Sequence, residues 1–299
     1  MISPDIVHIQ STNRCNLNCP MCPREFYGLK HQDLGFDSFK SIVDRIPASV
    51  KAIDLTGWGE PLLHPKIFGM INYAHKRGFI TYLTTNGLLL NREFQKNILE
   101  SGLDSLTVSL ENIKSKYYFG GAHPYSKAVV RNIEDFAQLR KAKKRPLISI
   151  CVTLHKGKGR GIIEIVKFAR RLKLDLVHLA RLNTAFRKDL KRTTFKEDMR
   201  LWRECLKKKN NKPKILLTEF QYLGLSKTYP LNESCPKIHN YAYVNMQGKL
   251  TPCCNLPNYA VGDIMKDDLR DIWRGKNYSY FRANQKKICR KFCNLFVYP

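Results

Sequence analysis

Three thiols stand within eight residues, at Cys15, Cys19 and Cys22, separated by three and then two other residues. Three thiolates on one short loop can hold three irons of a cubane cluster. The loop offers no fourth thiolate, so one iron is left open to bind a small molecule through oxygen and nitrogen. Zinc is the alternative, but it usually pairs a CxxC with a second CxxC or two histidines. A second set of thiols, Cys235, Cys253, Cys254, Cys289 and Cys293, lies near the C-terminus. It can fill four ligand positions of another metal centre, and ligand type alone does not separate iron–sulfur from zinc there.

The elements that must carry these thiols can be read from periodicity. Ile6-Val7-His8-Ile9-Gln10 alternates like a half-buried strand. The first three cysteines therefore sit on a loop leaving a strand's C-terminal end, where α/β barrels keep their chemistry. Behind it, helix patterns over 36–46, 65–77, 91–101, 126–141 and 162–172 interleave with strand patterns over 52–56, 80–84, 106–110, 147–154 and 174–182. Repeated βα units predict a parallel sheet. Within 147–154, Ile148, Ile150, Val152 and Leu154 fall on one face, and Ser149, Cys151 and Thr153 on the other. The apolar face is expected to meet helices and the small polar face to look into the interior. Cys151 could there give a hydrogen atom to a substrate radical; the alternative is a small buried cysteine, a common core residue. Cys205, in a helical segment, reads as structural. The loop 155–161 is cationic and glycine-rich: a lid gripping an anionic substrate or a solvated loop. His178 and Arg181 fall on opposite faces of the sixth strand. Lys207 to Pro213 reads as a linker, with a boundary near 213. A hairpin follows, Tyr241 to Asn245 and Lys249 to Cys253 around a Gln247-Gly248 turn.

The CxxxCxxC spacing, followed by Arg24, resembles the radical S-adenosylmethionine (SAM) superfamily. The resemblance implies a 4Fe–4S cluster held by Cys15, Cys19 and Cys22, with SAM on the fourth iron. Met21 replaces the aromatic residue that commonly stacks near the adenine. Gly57-Trp58-Gly59-Glu60-Pro61 resembles the family's GGEP motif, Thr84-Thr85-Asn86-Gly87 its TTNG turn, and Ser109 with Glu111 its SxD-like element. These imply SAM contacts from Gly57, Gly59, Glu60, Thr85, Asn86, Ser109 and Glu111. Glycines let backbone approach a ligand, and a carboxylate beside them can pair with an ammonium. Cys235, Gly248 five before Cys253, the Val261-Gly262-Asp263-Ile264 and Ile272-Trp273 passage, and Cys289 with Cys293 resemble the SPASM and twitch auxiliary-cluster domains. Four ligands imply the shorter twitch type: a second 4Fe–4S cluster on Cys235, Cys253, Cys289 and Cys293, with Cys254 as the alternative to Cys253. The implied fold is a partial (β/α)6 barrel over 1–213 followed by a small cysteine-rich twitch/SPASM-like domain over 214–299. The implied activity is reductive SAM cleavage, hydrogen abstraction from substrate, and electron transfer through the auxiliary cluster, as in twitch-type dehydrogenases. A ribosomal-peptide maturase, epimerising or crosslinking, is the second reading, and a nucleotide- or RNA-modifying enzyme the third.

Composition bounds the rest. The 299 residues, 43% hydrophobic, suit a globular chain with a real core. No run of eighteen apolar residues predicts a membrane span, and the N-terminus has no positively charged or apolar signal region. Ten cysteines with metal-ligand spacing point to a reducing compartment, hence the cytoplasm. A flavodoxin or ferredoxin is the implied reductant. The net charge is +27, and residues 114–214 hold 29 Lys and Arg against 8 Asp and Glu. Such a field favours anionic partners, a small anionic substrate or nucleic acid, unless it is only a solvated surface. Substrate itself, small molecule or peptide, is not named by any residue set.

Overall fold

The computed structural model describes residues 3–113, 117–118, 121–122, 126–141, 143–187, 189–207, 212–217, 235 and 237–295. In chain order its elements begin with β1 (Ile6–Ile9), α1 (Phe36–Asp44), β2 (Ala52–Asp54), α2 (Ile67–Lys76), β3 (Ile80–Thr85), α3 (Arg92–Glu100) and β4 (Ser105–Ser109). Then come β5 (Tyr117–Tyr118), β6 (Gly121–Ala122), α4 (Ser126–Arg140), β7 (Leu147–Leu154), α5 (Gly159–Arg171), β8 (Leu176–Arg181), α6 (Phe195–Leu206) and β9 (Lys214–Leu217). The C-terminal part holds α7 (Lys237–Asn240), β10 (Tyr241–Val244), β11 (Lys249–Thr251), β12 (Gly262–Asp263), α8 (Leu269–Arg274) and α9 (Lys276–Cys289). The class is α/β with mainly parallel pairing, as the alternation of periods predicts. The chain forms two compact units, one of residues 1–83, 100–104 and 232–293, the other of 84–99, 105–231 and 294–299.

In the first unit the strand order is β12-β11-β10-β1-β2-β3. β1 lies between β10 and β2, parallel to both: Ile6 stands opposite Tyr241 and Ala52, and His8 opposite Tyr243 and Asp54. All four residues of β1 are buried, as a strand covered on both faces requires. The hairpin expected from the Gln247-Gly248 turn is present, β10 and β11 pairing antiparallel. Its pairing with β1 is what joins residues 232–293 to the N-terminal βα units. The helices turn their apolar stripes inward: α1 buries Phe39, Ile42 and Val43, and α2 buries Ile67, Met70, Ile71 and Ala74. Burying each large apolar side chain contributes about 1.5–3 kcal/mol.

In the second unit β4, β7, β8 and β9 run parallel in that order. The two faces of β7 divide as the alternation requires. Ile148, Ile150, Val152 and Leu154 are fully buried, while Cys151 and Thr153 are half-buried. β9 is a strand that periodicity missed. It follows directly on the lysine-rich stretch read as a linker, of which 208–211 lie outside the described residues. Its run Ile215-Leu216-Leu217 gains its meaning from pairing with β8, Val177 opposite Ile215. Helix α6 starts at a capping box, Thr194 and Glu197 bonding each other's backbone N–H. Among the described residues no helix is long and apolar enough to cross a membrane.

β8 carries a fully buried ion pair. Arg181 Nε donates to Asp198 at 2.9 Å, both side chains 0% exposed, and Arg181 Nη1 donates to the Leu295 carbonyl at 2.5 Å. Removing one partner leaves the other charge in a dry interior. Arg181→Ala is expected to destabilise the protein by about 3–5 kcal/mol, measured by urea denaturation, with a smaller loss when both residues are replaced by apolar ones of similar volume.

Candidate active site

The loop between β1 and α1 carries Cys15, Cys19 and Cys22, all partly exposed. It is shaped by its own backbone: Cys22 N donates to Cys19 O at 2.9 Å, and Leu17 N to Cys15 Sγ at 3.4 Å. Arg24 ties the loop by donating from Nη2 to the Leu17 carbonyl at 3.1 Å. Its other terminal nitrogen, Nη1, is buried without an acceptor. Burial pushes the Cys22 thiol up, opposed by the Arg24 backbone N–H and charge. The entry to the loop is clamped by Arg14, which grips Asp33 through two nitrogens at 3.0 and 2.6 Å and reaches the Leu63 carbonyl at 2.7 Å. Sequence reasoning missed this clamp, because a single Arg and a single Asp nineteen residues apart carry no pattern.

The segment Gly57-Trp58-Gly59-Glu60 runs along the same loop. Gly59 N donates to Thr12 O at 3.1 Å and Glu60 N to Arg14 O at 2.7 Å. A Cβ on Gly59 would lie 2.4 Å from Thr12 O and 2.6 Å from Arg14 O, so backbone comes in against backbone here. Glu60 is buried at 2% exposure, and its carboxylate accepts from Leu62 N at 3.1 Å, capping the short 3-10 turn Pro61–Leu63. Met21 lies in a turn, half-buried, next to Cys22.

The second unit holds the remaining expected SAM contacts. After β3, Thr85 Oγ1 accepts from Gly87 N at 3.1 Å and Asn86 Oδ1 from Leu88 N at 3.0 Å. Gly87 has φ +79°, and a Cβ there would meet Val108 at 2.7 Å, so the turn requires glycine. Ser109, Cys151 and His178 stand opposite one another in register across β4, β7 and β8, forming one row. Glu111 is engaged with protein: Thr153 Oγ1 and Thr153 N donate to it at 2.8 and 3.1 Å, and Lys158 Nζ lies 2.5 Å away. Both members of the Lys158–Glu111 pair are under a tenth exposed. Lys158 belongs to the glycine-rich loop read as a lid or a solvated segment; its ammonium instead turns inward, and burial lowers its pKa against the pull of Glu111. Burial alone pushes His178 down to about 4, so it is neutral at pH 7.

The C-terminal thiols are also gathered by the first unit. Burial and the charges of Cys253 and Cys293 push Cys235 up, and burial with the Cys253 charge raises Cys289 to about 11. Cys253 Sγ and Cys254 Sγ are 4.0 Å apart. The contact with Cys254, opposed by burial, lowers the Cys253 thiol, and the same contact with burial raises Cys254. Lys237 adds positive charge to this cluster of thiols. Tyr243, fully buried, aims a hydroxyl with no partner into the neighbourhood of Cys253 and Cys254. The indole of Trp58 and the phenol of Tyr27 reach the same loop from the N-terminal side: Trp58 Nε1 donates to Cys254 O at 3.0 Å and Tyr27 OH to Asn255 O at 2.9 Å.

The thiols are gathered without closing on a point: among the described residues no three His, Cys, Asp or Glu side chains form a ready-made site for a single metal ion. The donors left around them do fit an anionic, sulfur-rich group. Among the described residues, Arg24 Nη1 by the front trio and the Tyr243 hydroxyl by the C-terminal thiols are buried donors lacking acceptors. Thiolates and the sulfides of an iron–sulfur cluster accept such hydrogen bonds.

A family model for the radical SAM superfamily matches residues 9–172, more than half of the chain. The chain belongs to the radical SAM superfamily. A second family model, an iron–sulfur cluster-binding SPASM domain, matches residues 235–294. SAM and iron–sulfur clusters are the cofactors of this pair of domains. The chain is 23% identical over 311 residues to the tungsten-containing aldehyde ferredoxin oxidoreductase cofactor-modifying protein of Pyrococcus furiosus, covering 96% of this chain and 85% of the relative. It is 26% identical over 308 residues to the AdoMet-dependent heme synthase of Methanosarcina barkeri, covering 94% and 84%. The crystal structure of Streptococcus suis SuiB bound to precursor peptide SuiA superimposes with a TM-score of 0.75 at 19% identity, covering 99% of this chain and 71% of SuiB. That likeness shows the radical SAM fold.

Two outcomes follow from this geometry. Gly59→Ala forces two stretches of radical SAM backbone apart; it is expected to cost about 1–3 kcal/mol and to weaken SAM binding, read by thermal melting and equilibrium dialysis. His178 makes stability depend on acid. The unfolded chain protonates it below 6.5, the folded chain only near 4, so stability falls as pH drops through that window. The contribution is about 1.4 kcal/mol per pH unit, and denaturation of His178→Gln between pH 6.5 and 4 should show a correspondingly shallower slope.

Proposed function

We propose that this chain is a radical SAM oxidoreductase that removes hydrogen from a small or cofactor-like molecule and passes an electron to an auxiliary cluster. Cys15, Cys19 and Cys22 are the proposed ligands of the SAM-binding cluster, and Cys235, Cys253, Cys289 and Cys293 those of the second. In this reading 1–213 is the barrel part and 214–299 the auxiliary part, the protein works in the cytoplasm, and a flavodoxin- or ferredoxin-class protein reduces it. The observation that carries the reading is the C-terminal thiol cluster, which has enough thiols to satisfy a cluster entirely from protein. A centre with no open corner is suited to moving electrons and not to holding substrate. The Pyrococcus and Methanosarcina relatives, a cofactor-modifying protein and a heme synthase, support a non-peptide substrate.

A cluster held by Cys15, Cys19 and Cys22 would supply the electron for reductive cleavage of SAM, and SAM so cleaved would take the hydrogen atom from substrate. The protein's own part is placement. Gly57 and Gly59 let this segment close on the Gln10–Arg14 backbone, which would set it beside the SAM methionine moiety, and Glu60 would offer a carboxylate to its ammonium. The Thr85-Asn86-Gly87 turn and Ser109 offer polar groups to SAM, while the row Ser109, Cys151 and His178 lines the polar face meant for substrate. His178, being neutral, can accept or donate one hydrogen bond without adding charge.

Anaerobically reconstituted protein with dithionite and SAM should form 5′-deoxyadenosine, and Cys15→Ala should abolish it. Cys253→Ser should keep SAM cleavage but lose net oxidation, scored as a product lighter by two mass units. If Cys253→Ser left oxidation intact, the electron-accepting role would be wrong. A peptide maturase is the second reading, favoured by the SuiB complex with its precursor peptide. Epimerisation would leave the mass unchanged in water, add one deuterium from D2O, and fail in Cys151→Ala; the oxidoreductase reading expects Cys151→Ala to retain its product.

A further inference from the structure

From Ile272 to Pro299 the chain has seven Lys and Arg and no Asp or Glu. Helix α9 lies within this stretch. One side of it is spent on packing: Tyr278, Phe281 and Gln285 are buried. The other side faces solvent. Lys276, Tyr280, Ala283 and Lys287 are all exposed, and their helical spacing puts them on one stripe. Tyr280, at 63% exposure, is the most open large hydrophobic side chain among the described residues. At the far end stand Lys286, Lys287, Arg290 and Lys291, all exposed. There Cys289 closes the helix, and Cys293 N donates to Cys289 O at 2.9 Å. Both thiols are partly exposed. Among the described residues none of these four cations meets a carboxylate, whereas Lys249 of the same unit holds Asp263 at 2.7 Å.

Cations in a last turn complement the helix dipole, and that alone would explain Lys286 and Lys287. It does not explain Arg274 and Lys276, exposed at the opposite end, where the same dipole disfavours positive charge. Asp267, Asp268 and Asp271 line one cavity with Lys276, so acidic groups stand at that end and the face becomes purely cationic toward the cysteines. We propose that this face of α9 docks an acidic one-electron carrier protein, of the iron–sulfur or flavin class, which takes the electron from the auxiliary cluster. The assignment rests on the reading of that cluster as the acceptor in turnover, which leaves it an electron to pass on. The step is electron transfer alone: the auxiliary cluster is oxidised, the carrier is reduced, and no bond forms or breaks. Opposite charge suits such a partner, because it speeds encounter, while the small interfaces of electron-transfer pairs let the carrier leave. The 14 residues of α9 span about 21 Å, enough for such a contact. Single-stranded nucleic acid would want a row of aromatic side chains for successive bases; the stripe offers Tyr280.

The test uses reconstituted holoenzyme, with an oxidised flavodoxin of strongly negative net charge as the probe. Affinity is read by calorimetry, contact by carbodiimide cross-linking of carboxylates to lysines, and electron hand-over from pre-reduced enzyme by stopped flow. Cross-links are expected at Lys276, Lys286 or Lys287. Lys276→Glu with Lys287→Glu is expected to weaken binding and slow hand-over roughly tenfold at low salt, a difference that shrinks as salt rises, with auxiliary iron retained. Lys127→Glu with Arg131→Glu, the same charge change on the exposed side of α4, is expected to leave both unchanged. An unaltered affinity in the α9 variant overturns the proposal. An equal loss from the α4 variant also overturns it, since that would be the general field of a +27 chain. So does an α9 variant that loses affinity for a single-stranded RNA oligonucleotide and keeps it for flavodoxin. If the α9 variant loses auxiliary iron, Lys276→Glu with Tyr280→Ser, farther from Cys289, decides: weaker binding supports the site and unchanged binding overturns it. Cys253→Ser tests the premise. Hand-over at the wild-type rate without the auxiliary signal removes that cluster as donor, and the proposal with it. Calorimetry tells this failure from a failed docking site, because in the first case binding still responds to charge reversal on α9 and in the second it does not.

Discussion

β1 is buried on both faces and paired in parallel on both edges, and the candidate chemistry of the first unit hangs on that placement. Parallel strands deliver their C-terminal ends to one side of a sheet. With β10 on one edge of β1 and β2 on the other, the cysteine loop after β1, the Gly-Trp-Gly-Glu segment after β2 and the hairpin after β10 all leave on that side. No long-range device is then needed to bring Trp58 to Cys254, or Tyr27 to Asn255. His8 marks the seam, its Nδ1 2.6 Å from the Tyr241 hydroxyl contributed by β10, and burial holds its pKa down. It reads as a neutral packing residue of the junction.

Collecting sulfur at such a place creates an electrostatic cost. Thiols gathered in a low-dielectric setting resist ionisation, which is why burial raises Cys22, Cys235 and Cys289. Positive charge opposes this, from Arg24 at the front and Lys237 at the rear. Cys253 is where donors win. The adjacent Cys253 and Cys254 sulfurs, 4.0 Å apart, pull in opposite directions, Cys253 down and Cys254 up.

The second unit solves a different problem, a polar interior. Ser149, Cys151 and Thr153 alternate with four fully buried aliphatics, so the strand presents small polar groups to one side. Glu111 and Lys158 fill part of that side with a neutralised pair. A residue that resembles a SAM contact by position can thus be occupied by the protein's own lysine, and a loop rich in glycine and lysine can point inward. The eight acidic residues of the basic stretch include several spent on structural cations: Asp175 holds Arg140 and Lys212, and Asp198 holds Arg181.

The elements with strong periodicity were legible in the chain alone. β7 spans the stretch its alternation predicts, and α1, α3 and α4 start within a residue of theirs, because side chains repeating every two or 3.6 residues report which face is buried. The CxxxCxxC trio stood out for a related reason: its three thiols lie within eight residues on one loop. β9 was not, since four residues after a run of lysines mean nothing until β8 lies beside them. Nor was α9, whose few apolar residues, Tyr278 and Phe281 among them, matter only once they are buried. The sequence by itself determined the α/β class, the two thiol sets and the chemistry they suit, because those depend on local spacing and residue type. Tertiary structure alone decided that β10 would dock on β1, that Lys158 would meet Glu111, and that Trp58 would touch the Cys254 peptide, because each is a contact across dozens to hundreds of residues whose partners share no pattern along the chain.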